Sequence, residues 1–244
     1  GFLFLILKMC YSNSSTSSTQ QLAERYQKLK PVSAPELSYF FASGFHFPQW
    51  HIVTNDEVLQ QMRWGLLPQW YKGGNWMEFA SKTLNARIET CTEKASFKHL
   101  ISSKRCLVPS SGFFEWQTQG KLKIPYFIKA IEQPVFSIAG IYDTWLNPST
   151  GAQEKTFTIL TTEANTLMAE IHNSKKRMPL ILSAQEEISW LNGALHLDQI
   201  TDRSDIQLEA WEIDKRIILS SNANISDVSA KFENPLGIQK GLFD

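Results

Sequence analysis

The chain between residues 105 and 162 consists of short apolar or alternating runs separated by turn residues. The runs are RCLVPSSGFFEWQ, KIPYFIKA, PVFSIAGIYDTW and KTFTILTT, and Gly, Pro and the sequence NPSTG stand between or within them. Alternation with a period of two, broken by Gly and Pro, is typical of strands joined by tight turns. The pattern predicts an antiparallel sheet or barrel in this part of the chain.

Helical spacing appears in four other stretches. In QLAERYQKLK the residues Leu22, Tyr26 and Leu29 share one face, the run SNSSTSSTQ before it supplies a cap, and Pro31 ends it. The other three are ETCTEKASFKHLISSK, EANTLMAEIHN and AQEEISWLNG, and short strands are expected in FHFPQWHIV, MRWGLLPQW and MPLILS. Without repeats or an evident linker, the chain is predicted to form one α+β domain, with a mainly antiparallel, barrel-like β-sheet core and peripheral helices.

Composition limits the partners and the compartment. The 244 residues are 43% hydrophobic, and 24 basic residues balance 24 acidic ones, so a nucleic acid would have to be bound by a local basic patch. The cysteines Cys10, Cys91 and Cys106 are odd in number and form no CxxC pair, which favours a reducing cytoplasm without disulfides or zinc. The six apolar residues in GFLFLILK are too few for a signal peptide or a membrane span, so we expect no membrane association.

Two short motifs carry candidate polar chemistry. In NARIET, Asn85 and Arg87 would share one side of an extended chain and could bind one polar ligand; the alternative is a turn Asn followed by a surface Arg. In SGFFEWQ, Glu115 stands among Phe113, Phe114 and Trp116. A carboxylate held among aromatic rings has a raised pKa and suits acid–base work, whereas strand alternation would equally allow its head group to face water.

A histidine and a basic run stand together in EIHNSKKRMPLIL. His172 suits proton transfer because its unperturbed pKa is about 6.5, and Lys175, Lys176 and Arg177 could bind phosphates. The alternative is a solvated basic loop with a histidine that caps the core.

The ordered set of motifs resembles the SOS-response-associated peptidase (SRAP) family. The matching segments are MC at 9–10, WGLLPQW at 64–70, NARIET at 85–90, RCLVPSSGFFEW at 105–116, PYFI at 125–128, FSIAGIYDTW at 136–145, FTILTTEAN at 157–165 and IH…RMPLIL at 171–182. They run in the family's order and span most of the chain. The resemblance divides the sequence into a leader or extension, residues 1–9, and an SRAP-like domain, residues 10–244.

The resemblance implies a covalent sensor of abasic sites in single-stranded DNA. An N-terminal Cys10 would condense its α-amine with the C1′ aldehyde of the ring-opened sugar, and its thiolate would then close a thiazolidine ring on the same carbon. By the same resemblance, Glu115 drives sugar ring opening and handles the imine protons, His172 is a second acid–base group, and Asn85 orients the sugar and the cysteine. Because only about a tenth or less of a free amine or thiol is nucleophilic at pH 7, such helpers are needed.

The resemblance also implies a DNA-binding surface. Arg87 and Arg177 would contact phosphates beside the lesion, while Trp64, Pro68 and Trp70 would form a wedge that keeps the strand kinked and unpaired. From the sequence alone, the two tryptophans are either core residues or a stacking surface for bases. We expect a monomer without cofactor or metal, cytoplasmic and associated with the nucleoid when on DNA, that has peptidase (hydrolase) and lyase-like activity.

Three features differ from the family's usual pattern. Tyr11 and Ser12 follow Cys10 where the family has Gly-Arg, and NSKK separates His172 from Arg177 where the family has one residue. Residues 1–9 precede Cys10, so they are either an artefact of start-site choice or a propeptide that the protein removes from itself.

Two alternatives make no use of a free N-terminal amine. In a papain-type thiol hydrolase, Cys10 would be the nucleophile, His172 the base and Asn85 the orienting amide, and residues ahead of Cys10 would not matter. A non-covalent module for single-stranded or modified DNA would bind reversibly, with a strong salt dependence and without need of Cys10.

Overall fold

The computed structural model describes residues 11–31, 34–131, 133–200 and 203–233. The strands of this part of the chain are β1 (Ser12–Ser15), β2 (Tyr39–Ser43), β3 (Gln49–Ile52), β4 (Gln60–Trp64), β5 (Asn85–Arg87), β6 (Arg105–Ser110), β7 (Gly112–Gln119), β8 (Leu122–Ala130), β9 (Phe136–Leu146), β10 (Gln153–Glu163), β11 (Arg177–Pro179), β12 (Ile181–Leu182) and β13 (Leu208–Glu212). The α-helices are α1 (Thr19–Arg25), α2 (Trp76–Ser81), α3 (Thr166–Ile171), α4 (Ala184–Leu191) and α5 (Lys215–Ile218), and short 3-10 turns lie at Gly44–His46, Leu197–Gln199 and Ser226–Ser229.

The first sheet is antiparallel and has the order β13-β8-β7-β1-β2. Its centre is the β7–β8 hairpin, in which Glu115 lies opposite Tyr126. Strand β1 covers the other edge of β7 only from Gly112 to Phe114. The rest of that edge therefore has no strand beside it among the described residues.

The second sheet is mixed, and the long strand β10 organises it. One edge of β10 pairs antiparallel with β9 and then with β11. Its other edge pairs parallel with β4 and then with β5, where Ile159 lies opposite Asn85. Strand β9 also pairs with β6 and β12, and β3 joins the sheet through β4, which completes its eight strands.

One large apolar cluster joins the two sheets and is called the central cluster below. Its buried members are Ala42, Trp50, Ile52, Met62, Trp64, Leu84, Cys106, Val108, Phe113, Ile128, Phe136, Ile138, Phe157, Ile159, Met168, Ile171, Met178 and Ile181. A second cluster packs α1 and α4 against the other side of the mixed sheet. Together these clusters bury most of the residues that the apolar runs of the sequence supplied.

The predicted fold class is confirmed. The molecule is a single body, mostly β, with a nearly closed barrel-like mixed sheet, an antiparallel sheet and few helices at the periphery. None of the helices in the described ranges is long and apolar enough to cross a membrane.

Three local predictions were wrong. The run ETCTEKASFKHLISSK forms successive turns, in which bonds to the third residue back (Phe97 N to Lys94 O, 2.9 Å) alternate with bonds to the fourth (Lys98 N to Lys94 O, 2.9 Å). Helix α1 ends at Arg25, well before Pro31, because Gln27 adopts a positive φ of 53°. The residues Ser12–Ser15, expected only to lead into a helix, form strand β1.

Candidate functional site

Glu115 lies in β7 with its side chain turned into the protein. It is 3% exposed, which excludes the alternative of a head group in water. Side chains alternate along a strand, so Glu115 shares its face with Phe113 of the central cluster, while Phe114 belongs to a separate cluster on the opposite face. The carboxyl group is therefore held beside the central cluster.

Asn85 and Arg87 lie on the same side of β5, as their spacing predicted. Both line a cavity of about 550 Å³. Asn85 is half-buried and Arg87 is exposed, and the parallel pairing with β10 fixes both positions. The residue before Asn85, Leu84, is fully buried in the central cluster.

His172 caps the C-terminus of α3 and is 3% exposed. Its Nδ1 lies 2.9 Å from the carbonyl oxygen of Arg177. Because a carbonyl only accepts hydrogen bonds, Nδ1 carries the proton, and Nε2 of the neutral ring is left as the acceptor. The residue before His172, Ile171, belongs to the central cluster.

The three predicted acid–base and orienting residues therefore lie around one apolar cluster. Asn85 and His172 each follow a buried member of it, and Glu115 shares the face of another. The helix that leads to His172 packs against the strand that holds Glu115. Residues far apart in the sequence thus all border the same apolar cluster.

Cys10 lies outside the described residues. Tyr11, the residue after it, packs its ring against the central cluster and against Phe45, with 4.8 Å between the ring centroids. The backbone N–H of Gly44 donates to the carbonyl of Tyr11 over 2.7 Å. A Cβ atom on Gly44 would lie 3.2 Å from the side chains of Leu84 and Trp64, so a larger residue there would require those buried side chains to shift.

Arg177 does not offer its guanidinium to a ligand, contrary to the prediction of a phosphate contact. It is 6% exposed, and its two terminal nitrogens donate to the carboxylate of Glu89 over 2.7 and 2.9 Å. One of them also donates to the carbonyl of Thr161 over 2.7 Å. A buried cation is stable only when it is paired in this way, so Arg177 ties β11 to the segment after β5.

The two tryptophans of WGLLPQW have different environments. Trp64 is 1% exposed, and its Nε1 donates to the carbonyl of Leu84 over 2.9 Å, so the prediction that it contacts DNA is wrong. Pro68 is also buried. Trp70 is 52% exposed and its ring is perpendicular to that of Phe79, with centroids 5.9 Å apart, so of these three residues it is the exposed one.

Sequence reasoning missed several residues that line the cavity with Asn85 and Arg87. They are Phe79, Lys82, Thr83, Thr90, Lys94, Ala95, Ser96 and Phe97. Lys82 and Lys94 add positive charge to that of Arg87, while Glu78 pairs with Lys82 over 2.7 Å. The spacing of apolar residues around Lys94 predicts a helix that does not form, so this spacing gives no indication that Lys94 lines the cavity.

The described residues contain neither a second reactive thiol nor a metal-binding cluster. Burial raises the pKa of the Cys91 and Cys106 thiols, so neither is a ready nucleophile. Within residues 11–31, 34–131, 133–200 and 203–233, no group of three His, Cys, Asp or Glu side chains is placed to hold a metal ion.

Several known proteins are similar to this chain in sequence or in fold. The chain is 36% identical over 169 residues to the abasic site processing protein YoaM of Bacillus subtilis, a match covering 64% of this chain and 71% of YoaM. It is 34% identical over 189 residues to the abasic site processing protein HMCES of Xenopus tropicalis, covering 70% of this chain and 55% of HMCES. A crystal structure of a Bacteroides thetaiotaomicron protein superimposes with a TM-score of 0.84 at 37% identity, covering 92% of this chain and all of that one. The family model described as SOS response associated peptidase (SRAP) matches residues 9–219, and the chain belongs to that family.

Proposed function

We propose that this protein senses abasic sites in single-stranded DNA and links to them covalently through Cys10. The observation that carries the proposal is the gathering of Asn85, Glu115 and His172 around the central cluster, against which Tyr11 also packs. Tyr11 is the residue that directly follows Cys10 in the sequence. The names of the relatives YoaM and HMCES support DNA with abasic sites as the substrate.

The proposed reaction joins one aldehyde to one aminothiol with loss of one water. The α-amine of Cys10 adds to C1′ of the ring-opened sugar, and the hydroxyl so formed leaves as water after protonation. The thiolate then adds to the same carbon, and its electron pair closes the ring as the C=N electrons return to nitrogen. The product is a thiazolidine in which C1′ is bonded to both N and S.

Each proton transfer has a candidate group. Glu115 is a buried carboxyl group suited to moving the sugar hydroxyl proton and the protons of the carbinolamine. Because the carbonyl of Arg177 accepts from Nδ1–H of His172, Nε2 is the ring nitrogen of His172 that could act as the base. Asn85, which lines the cavity and follows a buried member of the central cluster, would hold the sugar with its amide.

The cavity beside Asn85 supports single-stranded DNA as the partner. Arg87, Lys82 and Lys94 supply cations for phosphates, and the half-buried Phe79 supplies an aromatic wall. The exposed Trp70 packs on that same Phe79 and continues the aromatic surface outwards. A charged groove next to stacking rings is the usual design for a strand whose bases are unpaired.

The first test compares the chain that starts at Cys10 with the chain that starts at Gly1. Each is mixed with single-stranded DNA carrying one abasic site and followed by denaturing gel and intact mass. An adduct with the mass of protein plus DNA minus one water is expected only with the Cys10 start, because the longer chain has its Cys10 amine in a peptide bond. If the longer chain forms the adduct after losing residues 1–9, those residues are a propeptide.

Two controls make the result specific. DNA with a reduced abasic site has no aldehyde and should form no adduct, and neither should Cys10→Ala. An adduct that survives Cys10→Ala, or an unaltered Cys10 start that only binds reversibly, would rule out the covalent mechanism. The second outcome would leave a non-covalent DNA-binding module.

Arg87→Ala is expected to weaken binding to single-stranded DNA and to reduce its salt dependence. Loss of one phosphate contact lowers the slope of log affinity against log salt by about 0.7. Titrations by fluorescence anisotropy at several salt concentrations measure this. Lys28→Ala is the matched control. Lys28 lies after α1, donates a hydrogen bond to the carbonyl of Asp56 and does not line the cavity. Equal slopes for Arg87→Ala and Lys28→Ala would remove Arg87 from the interface.

A further inference from the structure

The outer edge of β7 changes its partner along its length. From Gly112 to Phe114 it pairs with β1. Beyond Phe114 no described strand continues this pairing, yet the backbone groups of Thr118 on this edge need hydrogen-bond partners. One side chain bonds both backbone groups of Thr118.

Asn173 provides both partners. The N–H of Thr118 donates to Oδ1 of Asn173 over 3.1 Å, and Nδ2 of Asn173 donates to the carbonyl of Thr118 over 2.8 Å. One amide thus bonds both backbone groups of a residue 55 positions away, as a neighbouring strand would. A third bond of the same kind, from Nε2 of Gln117 to the carbonyl of Glu170 over 3.0 Å, joins β7 to α3.

Asn173 follows His172 directly and begins the turn that holds it. The carbonyl of His172 accepts from Lys175 and Lys176 over 3.2 and 2.8 Å, and Lys176 closes the turn with a positive φ of 50°. The Nδ1–H of His172 donates to the backbone carbonyl of Arg177, which follows this turn. The turn is therefore rigid within itself, but its residues 173–176 are exposed. Besides the packing of α3 on β7 and the pairing of β11 with β10, the amide of Asn173 adds two direct hydrogen bonds between this turn and β7.

We propose that Asn173 is a positioning residue that sets the place of His172 relative to Glu115. Thr118 lies three residues from Glu115 on the same strand, about 10 Å along it. The amide of Asn173 therefore connects the strand that holds one acid–base group to the turn that holds the other. The inference rests on the proposed function, in which both groups move protons at the same sugar.

The test is a double-mutant cycle on the rate of adduct formation with the chain that starts at Cys10. His172→Gln is expected to slow the reaction about a hundredfold. Asn173→Ala is expected to slow it about tenfold, because a small misplacement of a catalytic group has this effect. If Asn173 acts through His172, the double variant is no slower than His172→Gln alone, whereas independent roles would multiply to about a thousandfold.

The position of the imidazole is measured separately by nitrogen-edited NMR of the unreacted chain. The Nδ1–H of His172, bonded to a carbonyl, should give a slowly exchanging signal that Asn173→Ala shifts or broadens. Asn55→Ala is the matched control, because Asn55 is also exposed and also donates to a carbonyl, that of Leu191, over 2.9 Å. It should change neither the rate nor the signal.

The outcomes separate the two proposals. Multiplicative losses, or a His172 signal that Asn173→Ala leaves unchanged, would overturn the role of Asn173 while the covalent function stands. Absence of any adduct from the unaltered chain would overturn the proposed function, and the NMR comparison would still decide whether Asn173 positions His172.

Discussion

Glutamine in place of Glu115 is expected to slow formation of the covalent adduct about a thousandfold and to leave the fold intact. Glutamine has the same shape and still forms hydrogen bonds, but it cannot take up or release a proton at pH 7. The side chain is 3% exposed and stands beside the central cluster, so water cannot replace it as a proton carrier. Single-turnover rates on denaturing gels measure the loss.

A different aldehyde substrate identifies the reaction step that depends on Glu115. A small aldehyde has no sugar ring to open, so its reaction with Glu115→Gln should be slowed far less, by about tenfold. Affinity for DNA with a reduced abasic site should be unchanged, because the carboxyl group contributes no cation to the strand. An unaltered rate with abasic DNA would remove Glu115 from the proton transfers.

Alanine in place of Trp64 is expected to lower the free energy of unfolding by about 4 kcal/mol. The indole is 1% exposed, lies parallel to Phe157 at 6.2 Å between ring centroids and donates to the carbonyl of Leu84. Its removal leaves a cavity and takes away one of the two donors to the carbonyl of Leu84, which also accepts from the N–H of Ile159. A loss of this size is a large part of the stability of a typical domain, and urea unfolding measures it.

Trp70→Ala is the matched comparison from the same motif. Half of its ring is already in water, so the free energy of unfolding should change by less than about 1 kcal/mol. Binding to single-stranded DNA should weaken about tenfold, because one stacking platform is lost. If Trp64→Ala unfolded like the unaltered protein while Trp70→Ala did not, the assignment of the two rings would be reversed.

The strands of the sheet centre could be predicted because their sequences carry two independent signals. In β7 to β10, apolar alternation agrees with the Gly and Pro breaks between the runs, and the structure has the strands there. Strand β1 could not be predicted, because SNSS has no apolar residue and its burial depends on polar partners. Ser110 donates its hydroxyl to the amide oxygen of Asn13 over 2.5 Å, and Asn13 is 2% exposed.

The site was less predictable than the sheet because its residues depend on distant segments. The alternation of side chains in β7 allowed Glu115 to face either water or the interior. Which face of β7 is buried is decided only when the two sheets pack together. Trp64 and Trp70 stand on either side of one break that contains Gly and Pro. Trp64 is the last residue of β4 and is buried in the core, whereas Trp70 is exposed. For Arg177, the partner Glu89 lies in another part of the chain, so local spacing gave no sign of the ion pair.

The pairing of β10 with β5 and β11 also sets an order of events during synthesis. Of the described strands, β1 leaves the ribosome first, whereas the strand with Asn85 can pair only after β10 has been made, and the turn with His172 is fixed only after β11 has been made. Under the proposed function, the nucleophile is thus exposed to the cell before its helper groups exist. A nascent chain that starts at Cys10 would carry an ordinary aminothiol, and its reactivity towards sugar aldehydes would rise only when the last strands of the mixed sheet have formed.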